Sequence, residues 1–390
     1  MEKTPRSERL HIGLYGKMNA GKSSVFNDLS GQKVSIVSDK KGTTTDPVLK
    51  TMEMKGIGPV VLMDTAGLND LEDVLGGERV KKTKGLFLKT DVALLLVEAG
   101  DRDLREEEEL IEGFLSLNTP VLGLITKGED PFLLDFLKNK GLNALIYKLK
   151  GSKEELLKLL QTLEKEEEES ITGSLCTSGD VVMLVMPQDA SAPKGRLIKP
   201  QVETTRELLD KGCTIVSTTP TDMEASLNAL KKAPDLIITD SQAFKEIYAL
   251  RPEESKLTSF SVLYAGYKGD FPYFLEGVKT LEKLTEDSRV LIAEACSHIP
   301  QQEDIGRVKL PRMLRKRFGE GLSIDILGGD EFPEDLRVYD LVLSCGACMF
   351  NKKHMMGRIL RAKEQEVPMT NYGVAIAYLT GILDKVSLPL

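Results

Sequence analysis

One octapeptide constrains this chain more than any other stretch. Gly16-Lys17-Met18-Asn19-Ala20-Gly21-Lys22-Ser23 satisfies G-x-x-x-x-G-K-[ST], with an apolar strand-like run, Leu10–Tyr15, before it and a helical pattern, Lys22–Leu29, after it. Glycines let backbone N–H groups close around phosphates, and the following helix N-terminus adds a favourable dipole. Gly16, Asn19, Ala20, Gly21, Lys22, Ser23 and Ser24 are therefore candidate phosphate-loop residues. Lys22 is placed to reach the β- and γ-phosphates, and Ser23 to ligate Mg2+.

The rest of the first 165 residues fits that start. Apolar runs at Val60–Met63, Val92–Val97, Val121–Ile125 and Ala144–Tyr147 alternate with helical patterns such as Leu104–Leu117 and Lys153–Leu163. Alternation of this kind predicts an α/β fold with a doubly wound, mainly parallel sheet. The run Glu164–Glu169 (EKEEEE) breaks the pattern and marks a boundary. Beyond it, strands are expected at Val181–Met186, Cys213–Thr218, Leu236–Thr239 and Phe260–Tyr264, then at Val290–Ala295, Ser323–Leu327 and Asp340–Leu343. Helices at Val202–Lys211, Asp222–Lys231, Ser241–Ala249, Asp304–Phe318, Lys352–Lys363 and Tyr372–Leu383 fall between and after them. The expected organisation is a P-loop domain over 1–170 and two smaller Rossmann-like α/β domains over 171–268 and 269–390.

Composition narrows the partners. The 390 residues carry 52 basic and 60 acidic side chains, a net charge of −8, which disfavours nucleic acid as the main partner. The longest apolar runs fall far short of the ~20 residues a bilayer span needs, and MEKTPRSERL has no apolar signal core. A cytoplasmic location without membrane attachment is expected. Five cysteines in such a chain do not suggest a disulfide framework, and three histidines leave any metal site dependent on thiolates.

Two further motifs bear on the nucleotide. Asp64-Thr65-Ala66-Gly67 closes a strand, placing Asp64 near Mg2+ and Gly67 near the γ-phosphate. Gly42-Thr43-Thr44-Thr45-Asp46-Pro47 supplies a switch threonine, Thr44 or alternatively Thr43, as a further Mg2+ ligand. With the phosphate loop these residues resemble the TrmE–Era–EngA–YihA group of bacterial GTPases. That resemblance implies GTP as substrate, with Lys22, Thr44, Asp64 and Gly67 as catalytic residues. It also implies K+-stimulated hydrolysis supported by Asn19. The group's N-K-x-D base-reading motif is replaced by Thr126-Lys127-Gly128-Glu129, where Glu129 can still accept from guanine N1 and N2. Leu68 stands where other GTPases carry a glutamine, so intrinsic turnover should be slow. The segment Asn69–Lys84, with Gly76-Gly77 as hinge, is the expected moving element.

The last signal is Cys296-Ser297-His298 followed by Cys345-Gly346-Ala347-Cys348. C-x-x-C alone is ambiguous between redox, zinc and iron–sulfur use. Cys296 and Cys345 close two strand-like runs, RVLIAEAC and YDLVLSC, and parallel strand ends open on one crevice. Cys176 and Cys213 read as packed core thiols.

The three-part layout, together with Ala192-Pro193-Lys194-Gly195-Arg196-Leu197-Ile198-Lys199-Pro200-Gln201 and the turn Thr239-Asp240-Ser241-Gln242, resembles the FeFe-hydrogenase maturation GTPases. The resemblance covers the whole chain. It implies dimerisation through the middle domain, as a homodimer or tetramer. It implies a 4Fe-4S cluster on Cys296, Cys345 and Cys348, and a scaffold or carrier role for the diiron precursor of the hydrogenase H-cluster. The implied partners are radical-SAM maturases and apo FeFe-hydrogenase. The family's histidine before the C-x-x-C is Ser344 here, leaving His298, water or a carboxylate for the fourth iron. A basic helix, Arg307–Arg317, follows Cys296 and is expected to attract anionic cargo. A ribosome- or RNA-associated GTPase with a structural zinc domain is the alternative reading.

Overall fold

The computed structural model describes residues 9–31, 48–65, 87, 89–163, 170–187, 197–295, 304–329 and 331–389. The chain divides into two compact units, 1–168 and 169–390.

In the first unit six strands form one sheet: β1 (Leu10–Tyr15), β2 (Val48–Met54), β3 (Gly58–Asp64), β4 (Val92–Glu98), β5 (Val121–Thr126) and β6 (Asn143–Ile146), in the order β2-β3-β1-β4-β5-β6. All neighbours are parallel except β2, which runs antiparallel along β3 and was not anticipated from the sequence. Around the sheet lie α1 (Lys22–Ser30), α2 (Arg105–Ser116), α3 (Pro131–Asn139) and α4 (Lys153–Leu163).

Strand β4, VALLLVE, shows why its run is continuously apolar. Leu94 and Leu96 pack with Val25, Phe26 and Leu160 on one face, and Ala93, Leu95 and Val97 pack with Ile111, Phe114 and Leu133 on the other. A strand covered on both faces has no polar side to show. Each such Leu or Val contributes about 1.5–3 kcal/mol through burial.

The second unit holds two four-stranded, all-parallel sheets. The first contains β7 (Val181–Val185), β8 (Thr214–Thr218), β9 (Leu236–Thr239) and β10 (Lys256–Ser259), ordered β10-β9-β7-β8. The other contains β11 (Arg289–Ala293), β12 (Ser323–Leu327), β13 (Leu341–Ser344) and β14 (Met369–Asn371), ordered β12-β11-β13-β14. The accompanying helices are α5 (Lys199–Asp210), α6 (Met223–Asn228), α7 (Phe244–Leu250), α8 (Phe260–Lys268), α9 (Phe271–Gly277), α10 (Leu310–Phe318), α11 (Lys352–Glu364) and α12 (Tyr372–Leu379). One apolar cluster runs through both sheets, joining Met183 and Ile237 to Leu291 and Val342.

Helix α8 corrects the sequence reading, which made Phe260–Tyr264 a strand. The strand is Lys256–Ser259 just upstream, and the Ser259 hydroxyl then caps the helix by accepting from Val262 N at 3.2 Å. The helix is buried around most of its circumference. Val262 and Ala265 enter the shared core, while Phe260, Leu263 and Tyr264 enter the cluster under β7 and β9. A helix buried this way loses the amphipathic period that distinguishes it from a strand.

The helix expected over Asp304–Phe318 is likewise two pieces, a π-helical turn over Ile305–Lys309 and α10. Cys176 and Cys213 are buried in an apolar cluster, as the sequence suggested. Among the described residues no helix is long and apolar enough to cross a membrane.

All three sheets reverse their winding beside their first strand: at β1/β4, at β7/β9 and at β11/β13. Open α/β sheets bind ligands at such switch points, outside the carboxyl ends of the strands.

Candidate functional site

The loop after β1 is shaped by backbone that only certain residues tolerate. Gly16 sits at φ 132°, and a Cβ there would lie 2.2 Å from the Leu96 carbonyl oxygen of β4. Gly21 (φ 91°) caps α1, and Asn19 holds φ 66°, a left-handed conformation that asparagine accepts more readily than most residues. The Lys22 side chain is 5% exposed and folds back over the loop, its Nζ donating to Gly16 O at 2.6 Å and Lys17 O at 2.7 Å.

At the end of β3, Asp64 is 4% exposed, and its Oδ2 accepts from Ser23 Oγ at 3.0 Å. Register places β3 directly against β1. A buried carboxylate beside a hydroxyl at a helix N-terminus is a hard-oxygen donor pair of the kind Mg2+ uses. Thr43, Thr44 and Gly67, with Leu68 and residues 69–84, lie outside the described residues.

Thr126 ends β5 and shows what a threonine can do in the base-reading motif. Its hydroxyl faces two carbonyls, Ala20 O at 2.7 Å and Val97 O at 3.3 Å, tying β5 to the phosphate loop. Lys127 (φ 62°) turns outward to Glu98 Oε2 at 2.8 Å. Glu129 accepts from Lys148 Nζ at 2.8 Å, which holds its carboxyl below the usual range.

These residues, with Gly21, Ser24, Val25, Tyr147 and Leu149, line a pocket of about 310 Å³. The neighbouring Asp130 is not part of it. Asp130 caps α3 through Phe132 N and Leu133 N and accepts from Arg102 Nη1 at 2.8 Å, and the guanidinium holds its pKa to about 2. Glu129 is the carboxylate that lines the pocket.

Sequence reasoning passed over Lys17. Its ammonium meets Asp101 Oδ2 at 2.9 Å and the buried Glu107 Oε2 at 3.2 Å, bracing the loop against the start of α2. Nothing in the local sequence marks that contact, which spans some 84–90 positions.

The Cys345–Cys348 turn lies at the β11/β13 switch point. Ala293 and Ser344 are register partners, so the chain leaves both strands side by side. Cys345 follows immediately. Its Sγ accepts from Ala295 N at 3.0 Å and Ala347 N at 3.4 Å, the latter in a turn where Ala347 takes φ 52°. Burial pushes the Cys345 thiol up to about 11, against the pull of those two N–H groups and the Arg358 guanidinium. Burial also raises Cys348, with Lys199 and Lys268 opposing it.

Arg358 is itself buried, stacked between the rings of Phe332 and Phe350 at 4.7 and 4.6 Å. Cys296 and His298 lie outside the described residues, yet Ala295, one position before Cys296, touches the Cys345 sulfur. Among the described residues no group of three or more His, Cys, Asp or Glu could hold a metal ion.

From α10, only part of the basic run is free to meet cargo. Arg307 lies in the π-helical turn, and its Nε pairs with the buried Glu294 at 2.9 Å. Lys309 donates to Gln242 Oε1 at 2.8 Å. The exposed basic side chains are Arg312, Lys316 and Arg317, with Arg315 half-buried.

A six-stranded sheet with a phosphate loop after β1, a buried Asp64 beside Ser23 and a base-side pocket at β5 defines the first unit as a P-loop GTPase domain. Comparison with known proteins agrees: residues 11–127 match a family described as 50S ribosome-binding GTPase. Residues 171–269 match the hydrogen maturase F dimerization domain and residues 272–389 the hydrogen maturase F tetramerization domain. The chain belongs to the hydrogen maturase F family.

Curated proteins to which it is similar include GTPases matched over part of the chain. The tRNA modification GTPase MnmE of Methylorubrum populi is 37% identical over 163 residues, 38% of this chain and 34% of that protein. GTPase Era of Aquifex aeolicus is 35% identical over 120 residues, 30% of this chain and 40% of Era. The chain thus spans well under half the length of these relatives. A crystal structure of Era in complex with MgGDPNP and nucleotides 1506-1542 of 16S ribosomal RNA matches with TM-score 0.34 and 22% identity. It covers 54% of this chain and 92% of that one.

Proposed function

We propose that this chain is a GTP-hydrolysing scaffold of hydrogenase maturation. In this reading it holds a 4Fe-4S cluster and carries the diiron precursor of the H-cluster from radical-SAM maturases to apo FeFe-hydrogenase. The observation that carries the reading is Cys345 at a parallel switch point, its sulfur taking N–H donors from its own turn and from Ala295 at the end of the neighbouring strand.

That donor set fits an iron–sulfur group. Thiolate sulfurs in such clusters accept backbone N–H bonds, and their net negative charge is favoured by cations of the kind Lys199, Lys268 and Arg358 supply. Cys296, Cys345 and Cys348 would hold three irons, leaving the fourth to His298 or an exchangeable ligand. Such a cluster would supply an iron able to exchange a ligand for the cargo.

At the nucleotide, Lys22 orients the β- and γ-phosphates, while Ser23, Asp64 and Thr44 (alternatively Thr43) hold Mg2+. Gly67 would lie by the γ-phosphate. Glu129 receives guanine N1–H and N2–H, and Thr126 stiffens the loop from behind. Asn19 is the residue for K+. With Leu68 in place of a water-orienting glutamine, turnover is slow, and the nucleotide serves to switch partner contacts. Self-association follows the two oligomerisation models that match the second unit.

The test is direct. Protein purified anaerobically should be brown, carry iron and sulfide rather than zinc, and give an EPR signal on reduction. It should also release phosphate from GTP in preference to ATP, faster in K+ than in Na+. A colourless protein with one zinc per chain would favour the ribosome- or RNA-associated reading instead.

The exposed part of α10 gives a second expectation. Arg312→Ala combined with Arg315→Ala should weaken loading of an anionic diiron cargo at low salt, with the difference shrinking as salt screens the charges. Equal loading at low ionic strength would remove α10 from the cargo path.

A further inference from the structure

The Cys345–Cys348 turn is held by residues that do not belong to its own sheet. Lys199, the first residue of α5, donates from Nζ to Cys348 O at 2.9 Å. Lys268, the last residue of α8, is 5% exposed and donates to Phe350 O at 2.8 Å and Ala347 O at 3.3 Å. Gly346, in the middle of the turn, lies over Tyr264 of α8: a Cβ built there would be 3.8 Å from the Tyr264 Cβ. Both lysines come from the stretch matched by the dimerization domain, and the turn they grip comes from the stretch matched by the tetramerization domain.

Two segments quoted above for the family resemblance meet around this grip. Ile198-Lys199-Pro200-Gln201 starts α5, and Gln201 Nε2 donates to Asp240 Oδ2 at 3.3 Å, in the turn that ends β9. The next residues of that turn extend the contact: Ser241 Oγ lies 2.8 Å from Ser259 Oγ, and Gln242 receives Lys309 from beyond β11. The switch-point end of the β10-β9-β7-β8 sheet therefore sends a cation into the turn of the neighbouring sheet.

The charge environment supports more than packing. An ammonium as buried as that of Lys268 is costly unless it meets acceptors and negative charge. Two of its acceptors are the Ala347 and Phe350 carbonyls, which frame the cysteine turn. Glu203 lies 3.5 Å from Lys199 and also accepts from the Tyr264 hydroxyl, so one carboxylate is shared on that side. An anionic group held at Cys345 and Cys348 would lie beside both ammoniums and be favoured by them.

We propose that Lys199 and Lys268 are positioning residues of the thiolate site, through which the β10-β9-β7-β8 sheet sets the reduction potential of the group held by Cys345 and Cys348. The inference rests on the cluster reading given above and adds a route by which the oligomerising middle segment acts on it. One-electron reduction adds a negative charge to the cluster, and nearby ammonium groups stabilise the reduced state.

The experiment is an EPR-monitored redox titration of reconstituted protein, compared at equal iron per chain. Lys268→Met and Lys199→Met, each nearly isosteric and uncharged, should lower the equilibrium constant for reduction about tenfold, a shift of about 59 mV to lower potential for one electron. Lys199→Arg keeps the charge and should restore the wild-type value. A purely structural role predicts loss of iron with an unshifted potential in the clusters that remain.

Should Lys268→Met fail to fold, Lys199→Met, nearer the surface, provides the readout. Wild-type protein that takes up no iron would overturn the cluster reading and this inference with it. Iron-loaded variants with wild-type potentials would overturn this inference alone.

Discussion

Replacing Cys345 with serine should strip the protein of iron. The sulfur lies where two parallel strands end together and takes two backbone N–H donors, at 3.0 and 3.4 Å. A hydroxyl there neither ionises readily nor matches a soft metal. Loss of an outer-shell partner of a metal site typically costs about 10–100-fold in affinity, so loss of a ligand should exceed roughly tenfold. Iron and sulfide per chain are the measurement, with Cys348→Ser behaving alike.

Cys213→Ala is the control. Cys213 belongs to the apolar cluster under β7 and β9, and its removal should leave iron unchanged. Loading should also depend on pH with a definite sign. Burial lifts the Cys345 thiol to about 11, and the metal takes it as thiolate, so binding releases protons and strengthens as pH rises from 7 towards 9. Full iron in Cys345→Ser, or loading that weakens with rising pH, would remove the cluster from this site.

The parts of the two sites that could be read from sequence are those whose chemistry is local. The phosphate loop is eight consecutive residues, and its glycines announce the backbone that Gly16 and Gly21 adopt. Asp64 was legible because a strand end fixes where a carboxylate lies. The place of Cys345 follows from the same rule: parallel strands put their carboxyl ends on one edge, and the β11/β13 pairing brings Ala295 to Cys345.

What stayed hidden depends on tertiary contact. Lys199 and Lys268 look like any solvated lysine in a polar stretch, yet they reach carbonyls 149 and 82 positions away. The partner of Arg307 is equally hidden, since nothing in a basic run shows that one of its members pairs with a buried Glu294. Thr126 looked like a lost asparagine because its partner, Ala20, is 106 positions distant. Helix α8 was mistaken for a strand because full burial erases periodicity, and only the Ser259 cap distinguishes the two.

The second large effect belongs to the nucleotide domain. Lys22→Ala should abolish GTP-dependent phosphate release and weaken GTP binding by about 30–1,000-fold, equivalent to about 2–4 kcal/mol for truncating one member of a buried, hydrogen-bonded charge pair. The side chain is 5% exposed and its ammonium already lies between Gly16 O and Lys17 O, so the loop is organised around it before any phosphate arrives. Its removal leaves two carbonyls turned inward and takes away the cation nearest the β- and γ-phosphates.

Arginine should not rescue it, because a planar fork cannot occupy a niche sized for a single ammonium between two carbonyls 2.6 and 2.7 Å away. Arg105→Ala offers the contrast. Arg105 pairs with Asp103 at 2.7 Å with both side chains more than half exposed, and such surface pairs contribute little. Titration with a fluorescent GTP analogue and a phosphate-release assay measure both variants. Phosphate release by Lys22→Ala at the wild-type rate would mean that hydrolysis is not organised by this loop. Iron content should be untouched in either variant, since the thiolates and their lysines all lie in the second unit.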